Sequence, residues 1–170
     1  KEDIVGRRFT AARFSGAGIA VHQSMVYTAA QTFKRGAVLI FAAGGAGTVE
    51  EGGADPTPIV GVSMENAASK PGFEVGHSTF VIATTGRVSE VTVARANRQT
   101  IFSGRAVNGA TDPVTPTQSH IDEVYGILKS SNDWVIDIAE AANTRIEIVD
   151  VDIDEKIFFF KFLEANLATP

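Results

Sequence analysis

Short apolar runs, each bounded by glycine, proline or charged residues, are the feature that most constrains the fold of this chain. Ala37–Phe41 follows Lys34-Arg35-Gly36 and precedes a glycine-rich segment, and Pro58–Val62 follows the next turn. Runs of about five residues rich in Val, Ile and Phe are typical of strands, whereas a helix needs a longer segment with a period of 3.6 residues. Further runs predict strands at Thr79–Ala83, Val88–Val93 and Tyr125–Leu128. The sequence therefore predicts a mostly β fold.

The C-terminal part of the chain has the clearest strand pattern. In Arg145–Ile148, apolar and charged residues alternate, as in a half-buried antiparallel strand. The alternation resumes in the opposite phase after Val149, which predicts either a β-bulge there or burial of both faces. The aromatic stretch Ile157–Leu163 is expected to pair with this strand across a turn at Asp154-Glu155.

Composition divides the 170 residues into four parts. Residues 1–30 are rich in small residues, with apolar positions too sparse for a core of their own, and they predict an extended arm laid on this domain or on a neighbour. Residues 31–105 hold the first group of strands, and residues 119–170 predict a C-terminal β-meander packed on the same core. Residues 104–118, with two prolines and two glycines, predict a long loop.

The glycine-rich segment 44–56, with the sequence GGAGTVEEGGADP, resembles a phosphate-binding loop at first sight. A Walker loop needs Lys-Ser/Thr after its last glycine, but Gly53 is followed by Ala-Asp-Pro. The third glycine of a dinucleotide fingerprint is replaced by Glu50, and a strand follows where a helix should begin. The sequence instead predicts a hairpin tip around Gly44–Gly47, a short strand Thr48–Glu51 and a second turn.

Charge and residue types argue against several function classes. The net charge is −5, from 15 Lys and Arg against 20 Asp and Glu, which gives no general electrostatic reason to bind nucleic acid or an anionic membrane. Cysteine is absent, which excludes disulfides and thiolate ligands. The histidines, His22, His77 and His120, lack the spacing of a zinc site. We predict no catalytic residue, no metal ligand and no cofactor.

Two segments leave alternatives open. Asp150–Asp154 imitates the start of a calcium loop, but Glu155 and Lys161 occupy the positions that require Gly and Glu, so that the helix–loop–helix site is excluded. A looser cation site formed between subunits stays an alternative. Trp134 lies among alternating apolar and acidic residues, where it serves either as a sugar-binding platform or, more commonly, as a core or interface residue.

The stretch from Gly36 to Val93 resembles the decoration, or cement, proteins of tailed bacteriophage capsids. The similarity lies in a first strand, a glycine-rich hairpin, an Asp-Pro turn, an I-x-G-V-S strand and an alanine-rich turn with Pro and Gly. The corresponding residues are Gly36–Leu39, Gly44–Gly53, Asp55-Pro56, Ile59–Ser63 and Glu65–Gly72. The resemblance implies that residues 31–105 form a small antiparallel β-barrel or β-tripod-like domain, to which the arm and the C-terminal meander are added.

The resemblance also implies a function. Such a protein is not an enzyme. It oligomerises, usually as a homotrimer, on the outer surface of a phage head and clamps neighbouring major capsid proteins. The residues expected to contact a partner are Arg7, Arg8, Phe9, Phe14, Asn108, Asp112 and Trp134. One alternative is a β-sandwich module of a phage tail or cell surface that binds a glycan or receptor through Trp134. A hydrolase with its site on the loops is a third alternative, because a fold does not determine a function.

Overall fold

The predicted mostly β fold is confirmed by a computed structural model, which describes residues 9–14, 21–28, 31–43, 47–67, 90–109, 112–130 and 133–168, with only the backbone of residues 13 and 14. The strands are β1 Thr10–Phe14, β2 His22–Val26, β3 Val38–Phe41, β4 Val49–Glu51, β5 Ile59–Ser63, β6 Glu90–Arg95, β7 Thr100–Gly104, β8 Ala106–Asn108, β9 Asp112–Val114, β10 Val124–Ser130, β11 Asp133–Asp137, β12 Ile146–Asp152 and β13 Ile157–Phe162. Two short 3-10 helices occupy Gln118–His120 and Glu164–Asn166. None of these described elements is a helix long and apolar enough to cross a membrane.

The strands form two sheets. The larger has the order β1-β7-β13-β12-β10-β11-β8-β9, and the smaller has the order β2-β6-β5-β3-β4. All strand pairs are antiparallel except β11 and β8. In the smaller sheet, Tyr27, directly after β2, forms one parallel bridge to Val49 in β4, and the Thr28 N–H donates to the Val49 carbonyl at 3.0 Å. One bridge is not a continuous strand pairing. The prediction of a β-barrel is therefore wrong, because the outer strands β2 and β4 of the smaller sheet meet at one bridge but do not pair along their length.

One hydrophobic core joins the two sheets. It contains alternate residues of β13, with Phe158, Phe160 and Phe162 all at most 2% exposed. The Phe160 ring packs on Phe9 with centroids 4.8 Å apart, and Phe162 packs on Phe102 at 5.2 Å. The aromatic stretch that the sequence predicts as a strand thus provides the centre of the core, because its period of two places every second ring on the inner face.

The predicted β-bulge is present in β12. Ile148 lies opposite Phe160, but the next paired residue is Asp150, opposite Phe159, so that one extra residue is inserted at Val149. The pairing of β12 with β13 across a turn at residues 153–156 is confirmed as well. The bulge explains why the apolar alternation changes phase at this point in the sequence.

The predicted loop at residues 104–118 is wrong. It contains the end of β7 and a hairpin made of β8 and β9, and β8 joins the larger sheet beside β11. In the β8–β9 hairpin the buried residues are Ala106 and Val107, too few to produce a recognisable strand pattern. Its place in the sheet depends on backbone hydrogen bonds to a strand about 30 residues further on, which local composition does not encode.

The described parts of residues 1–30 lie in the two sheets. β1 pairs with β7, and β2 pairs with β6, so that both are outer strands of their sheets. The described parts of the predicted arm therefore lie on this domain, which is the first of the two placements predicted from the sequence. The predicted strand Thr79–Ala83 and residues 1–8 lie outside the described residues.

The glycine-rich segment has the predicted hairpin strand. β4 pairs antiparallel with β3, with Glu50 opposite Ile40 and Glu51 opposite Leu39. Gly47 has a φ of 79°, a left-handed conformation that favours glycine. Asp55 has a φ of 51° in the turn that leads to β5. Gly47 therefore serves the backbone of the turn before β4, whereas the left-handed residue of the second turn is Asp55.

Candidate protein-contact surface

A charged junction joins the two sheets at Glu51, Lys129 and Trp134, and we call these three residues the inter-sheet junction. Glu51 Oε1 accepts a hydrogen bond from the Trp134 indole N–H at 3.0 Å, and Oε2 accepts one from Lys129 Nζ at 2.7 Å. Lys129 and Trp134 lie directly opposite each other on β10 and β11. Gln31 Oε1 accepts the backbone N–H of Glu51 at 3.1 Å. The carboxylate thus bonds two cross-strand neighbours of the other sheet.

Trp134 is not available to a partner or a sugar. Its side chain is 1% exposed, and its single polar atom already donates to Glu51. The prediction of Trp134 as a contact residue is therefore wrong, and the core alternative holds. No local pattern predicts this hydrogen bond, because Glu51 lies 83 residues away in the short strand predicted at Thr48–Glu51.

The residues predicted in the arm divide into three groups. Phe9 is fully buried against Phe160, so the prediction that it contacts a partner is wrong. Phe14 is the last residue of β1, with its backbone opposite Thr100. Arg7 and Arg8 lie outside the described residues.

Asn108 and Asp112 lie together at the tip of the β8–β9 hairpin. They are directly opposite each other, and both are exposed. Gly109 next to them has a φ of 71°, and its N–H donates to Asp137 Oδ1 at 3.0 Å. The same oxygen accepts the Ala139 N–H at 3.0 Å, so Asp137 fastens the tip to the end of β11. We call Asn108 and Asp112 the hairpin tip.

The outer strand of this hairpin carries Pro113. Proline has no N–H to donate, and it protects an outer strand against pairing with another chain. A partner of the hairpin tip is therefore expected to contact side chains rather than to extend the sheet.

Arg95 lies at the end of β6 in the smaller sheet. Its guanidinium lies 5.9 Å from the centre of the Phe41 ring, and its Nη1 contacts Met25 Sδ at 3.6 Å. Its backbone N–H donates to the Val21 carbonyl, and Val21 is 52% exposed. Partial burial lowers the pKa of the guanidinium from its ordinary value. We call Arg95, Phe41 and Val21 the arginine mouth.

The acidic segment at the end of β12 forms a turn. Asp150 Oδ1 accepts the Val151 N–H and Asp152 Oδ1 accepts the Glu155 N–H, both at 2.9 Å. In the part of the chain that the structure describes, no three His, Asp or Glu side chains are arranged to hold a metal ion. Ile153 at the turn is 46% exposed, and Asp154 beside it is exposed. This turn therefore presents an aliphatic side chain next to a carboxylate.

The conspicuous residues thus lie in one partly buried junction between the sheets and in three exposed groups, which are the hairpin tip, the arginine mouth and the turn at residues 153–156. Comparison with protein-family models, with curated proteins and with solved structures gives no match. The class that the fold defines is an all-β protein of two sheets, and its function has to be argued from its own residues.

Proposed function

We propose that this protein is a non-enzymatic capsid decoration protein that self-associates, binds the outer surface of a bacteriophage head and clamps neighbouring major capsid proteins. The observation that supports this best is the hairpin tip, which presents Asn108 and Asp112 side by side at the outer edge of the larger sheet. The resemblance of Gly36–Val93 to cement proteins gives the kind of partner.

The hydrogen bond that holds the hairpin tip suits a binding role. Asp137 accepts the backbone N–H of Gly109, so the backbone next to Asn108 is held in place and has less freedom to lose when a partner binds. A tip of two polar residues gives a weak contact by itself. On a shell, the contact is repeated by every subunit of an oligomer, and avidity then raises the overall affinity without new contacts.

The burial of Trp134 removes the residue on which the glycan-binding alternative depends. No other described feature favours that alternative.

The proposed function is tested by mixing the purified protein with undecorated capsids. We expect the protein to co-sediment with the capsids and to raise their melting temperature. Failure of the unmodified protein to do either would overturn the proposed function.

The role of the hairpin tip is tested with Asn108→Ala/Asp112→Ala in the same assay. We expect weaker co-sedimentation than with the unmodified protein. The double variant Asn143→Ala/Glu123→Ala is the matched control, because it removes one amide and one carboxylate from exposed positions in other turns. Equal loss in both variants, or no loss in the tip variant, would show that the tip is not the contact.

A further inference from the structure

The arginine mouth contains a guanidinium group that has no carboxylate partner among the described residues. Among the described residues, no carboxylate forms an ion pair or hydrogen bond with Arg95, and its contacts are a sulfur atom and an aromatic face. Burial is the only cause of the lowered pKa of this guanidinium, which agrees with the lack of a neighbouring carboxylate. A partly desolvated cation is stabilised when an opposite charge with good geometry is supplied. A guanidinium fits a carboxylate through two parallel hydrogen bonds.

The turn at residues 153–156 carries a carboxylate that complements the cation of the arginine mouth. Asp154 forms no hydrogen bond or ion pair within the described chain, whereas the neighbouring Asp152 already accepts the Glu155 N–H. Ile153 is one of three large apolar side chains that are clearly exposed in the described ranges, and Val21 in the arginine mouth is another. The arginine mouth thus combines one cation with one exposed aliphatic side chain. The turn also carries Glu155 and Lys156, and it presents the carboxylate of Asp154 beside the exposed Ile153.

The two patches lie beyond opposite ends of β7. Arg95 is the last residue of β6 and is joined to the start of β7 by the short turn at residues 96–99. Gly104 at the other end of β7 lies opposite Phe158, next to the turn that holds Asp154. Five residues of strand span roughly 16 Å. The patches of one molecule therefore cannot reach each other, but they are placed for head-to-tail contact between copies.

We propose that the turn of one copy binds the arginine mouth of a second copy. In this contact the Asp154 carboxylate pairs with the Arg95 guanidinium, and Ile153 packs against Val21 and Phe41. The second copy is the occupant that charge complementarity favours, because the chain supplies both halves of the contact. A head-to-tail contact closes into a ring when its rotation permits, which makes a trimer one of the assemblies that it can build. The inference rests on the self-association included in the proposed function.

A charge reversal tests the contact in solution, without capsids. Sedimentation velocity over a range of protein concentrations gives the association constant of the unmodified protein. We expect Arg95→Glu and Asp154→Arg each to weaken association about tenfold or more, because each places like charges together. The double variant, in which the two charges are exchanged, should restore association toward that of the unmodified protein. Arg98→Glu is the matched control, because Arg98 is an exposed arginine near the mouth that pairs with Glu164, and it should associate normally.

The outcomes are separable from those of the capsid experiment. Asp154→Arg changes only an exposed turn, so it tests the contact even if Arg95→Glu unfolds, which circular dichroism would detect. A monomeric unmodified protein, normal association of Asp154→Arg, or no restoration in the double variant would overturn the proposal. Loss of capsid binding by Arg95→Glu with unchanged association would also overturn it, and would identify an acidic surface of the coat as the occupant. Capsid binding by a strictly monomeric protein would leave that part of the proposed function standing.

Discussion

The indole N–H of Trp134 donates to Oε1 of Glu51 at 3.0 Å, and this partly buried hydrogen bond joins the two sheets. Lys129, opposite Trp134 in the sheet, bonds the other oxygen of the same carboxylate. Hydrogen bonds to ionised groups are stronger than neutral ones, and this carboxylate makes two of them. The junction therefore fixes the β3–β4 hairpin against the larger sheet.

Removal of this carboxylate is expected to destabilise the fold. Glu51→Ala leaves the buried indole N–H without an acceptor, which costs about 1–3 kcal/mol in the free energy of unfolding. Glu51→Gln retains an oxygen acceptor for the indole and should cost less. Urea denaturation measures the difference, with Glu50→Ala in the same strand as the control. Equal costs for Glu51→Ala and Glu50→Ala would contradict the importance of the junction.

Neighbouring rings of β13 should differ in their contribution to stability. Phe160→Ala removes a fully buried ring that contacts Phe9, Phe102 and Phe162, and it should cost about 3–5 kcal/mol. Phe159 lies on the other face of the strand and is only half-buried, so Phe159→Ala should cost clearly less. Thermal unfolding of the two variants provides the comparison. A larger loss for Phe159→Ala would mean that the inner face has been assigned wrongly.

The addition of a methyl group at Gly61 should lower the stability of the fold. A Cβ there would lie 2.2 Å from the backbone oxygen of Ala94 in the adjacent strand, so the two strands would have to move apart. We expect Gly61→Ala to cost about 1–3 kcal/mol, the range of overpacked cores. Gly53→Ala is the control, because no atom lies within 4 Å of the Cβ position there. Denaturant midpoints of the two variants check this, and equal midpoints would refute the close approach.

Truncation should show how much Phe9 and β1 stabilise the fold. Removal of residues 1–14 deletes Phe9 and β1 from the larger sheet, and a loss of about 3–5 kcal/mol is expected for the buried ring alone. Removal of residues 1–8 retains Phe9 and β1 and is the comparison, so the longer truncation should melt at the lower temperature. If both truncations melt alike, the ring of Phe9 does not contribute as its burial indicates.

Glu140 should contribute to stability in a pH-dependent manner. Hydrogen bonds from the backbone N–H groups of Asn143 and Ala142 favour its ionised form and lower its pKa. Its contribution is therefore present above the pKa of the unfolded chain and is lost as the pH falls through the lowered value. Glu140→Gln should reduce the loss of stability between neutral and acidic pH. Glu123→Gln, an exposed glutamate in another turn, is the control, and the same effect in both would disprove this assignment.

The sequence predicted the strands whose own residues decide their structure. The runs that became β3 and β5 are apolar throughout, and the bulge in β12 changes the phase of an alternation that is otherwise regular. The hairpin strand β4 followed from the glycines around it. Each of these signals is contained within about ten residues, which is the range over which side-chain pattern and turn residues act.

The sequence did not predict what depends on distant partners. β8 and β9 carry almost no apolar pattern. β8 is a strand because β11 binds its backbone, and β9 is a strand because it pairs with β8. The predicted contact role of Trp134 is wrong because its indole N–H is bonded to Glu51. No local sequence pattern connects two residues 83 positions apart. For the same reason the hairpin tip was predicted only in part, since Asn108 and Asp112 were chosen separately and the sequence did not place them opposite each other.

The single bridge between Ile59 and Leu167 has a consequence for how the chain folds. These residues are more than a hundred positions apart, and the Ala168 N–H donates to the Ile59 carbonyl at 2.8 Å. A fold with many such distant pairings forms slowly, because the entropy of closing large loops has to be lost before the contacts compensate for it. A chain still growing on the ribosome cannot make this bridge until Leu167 has emerged, so β5 has to wait for a segment that is synthesised more than a hundred residues later.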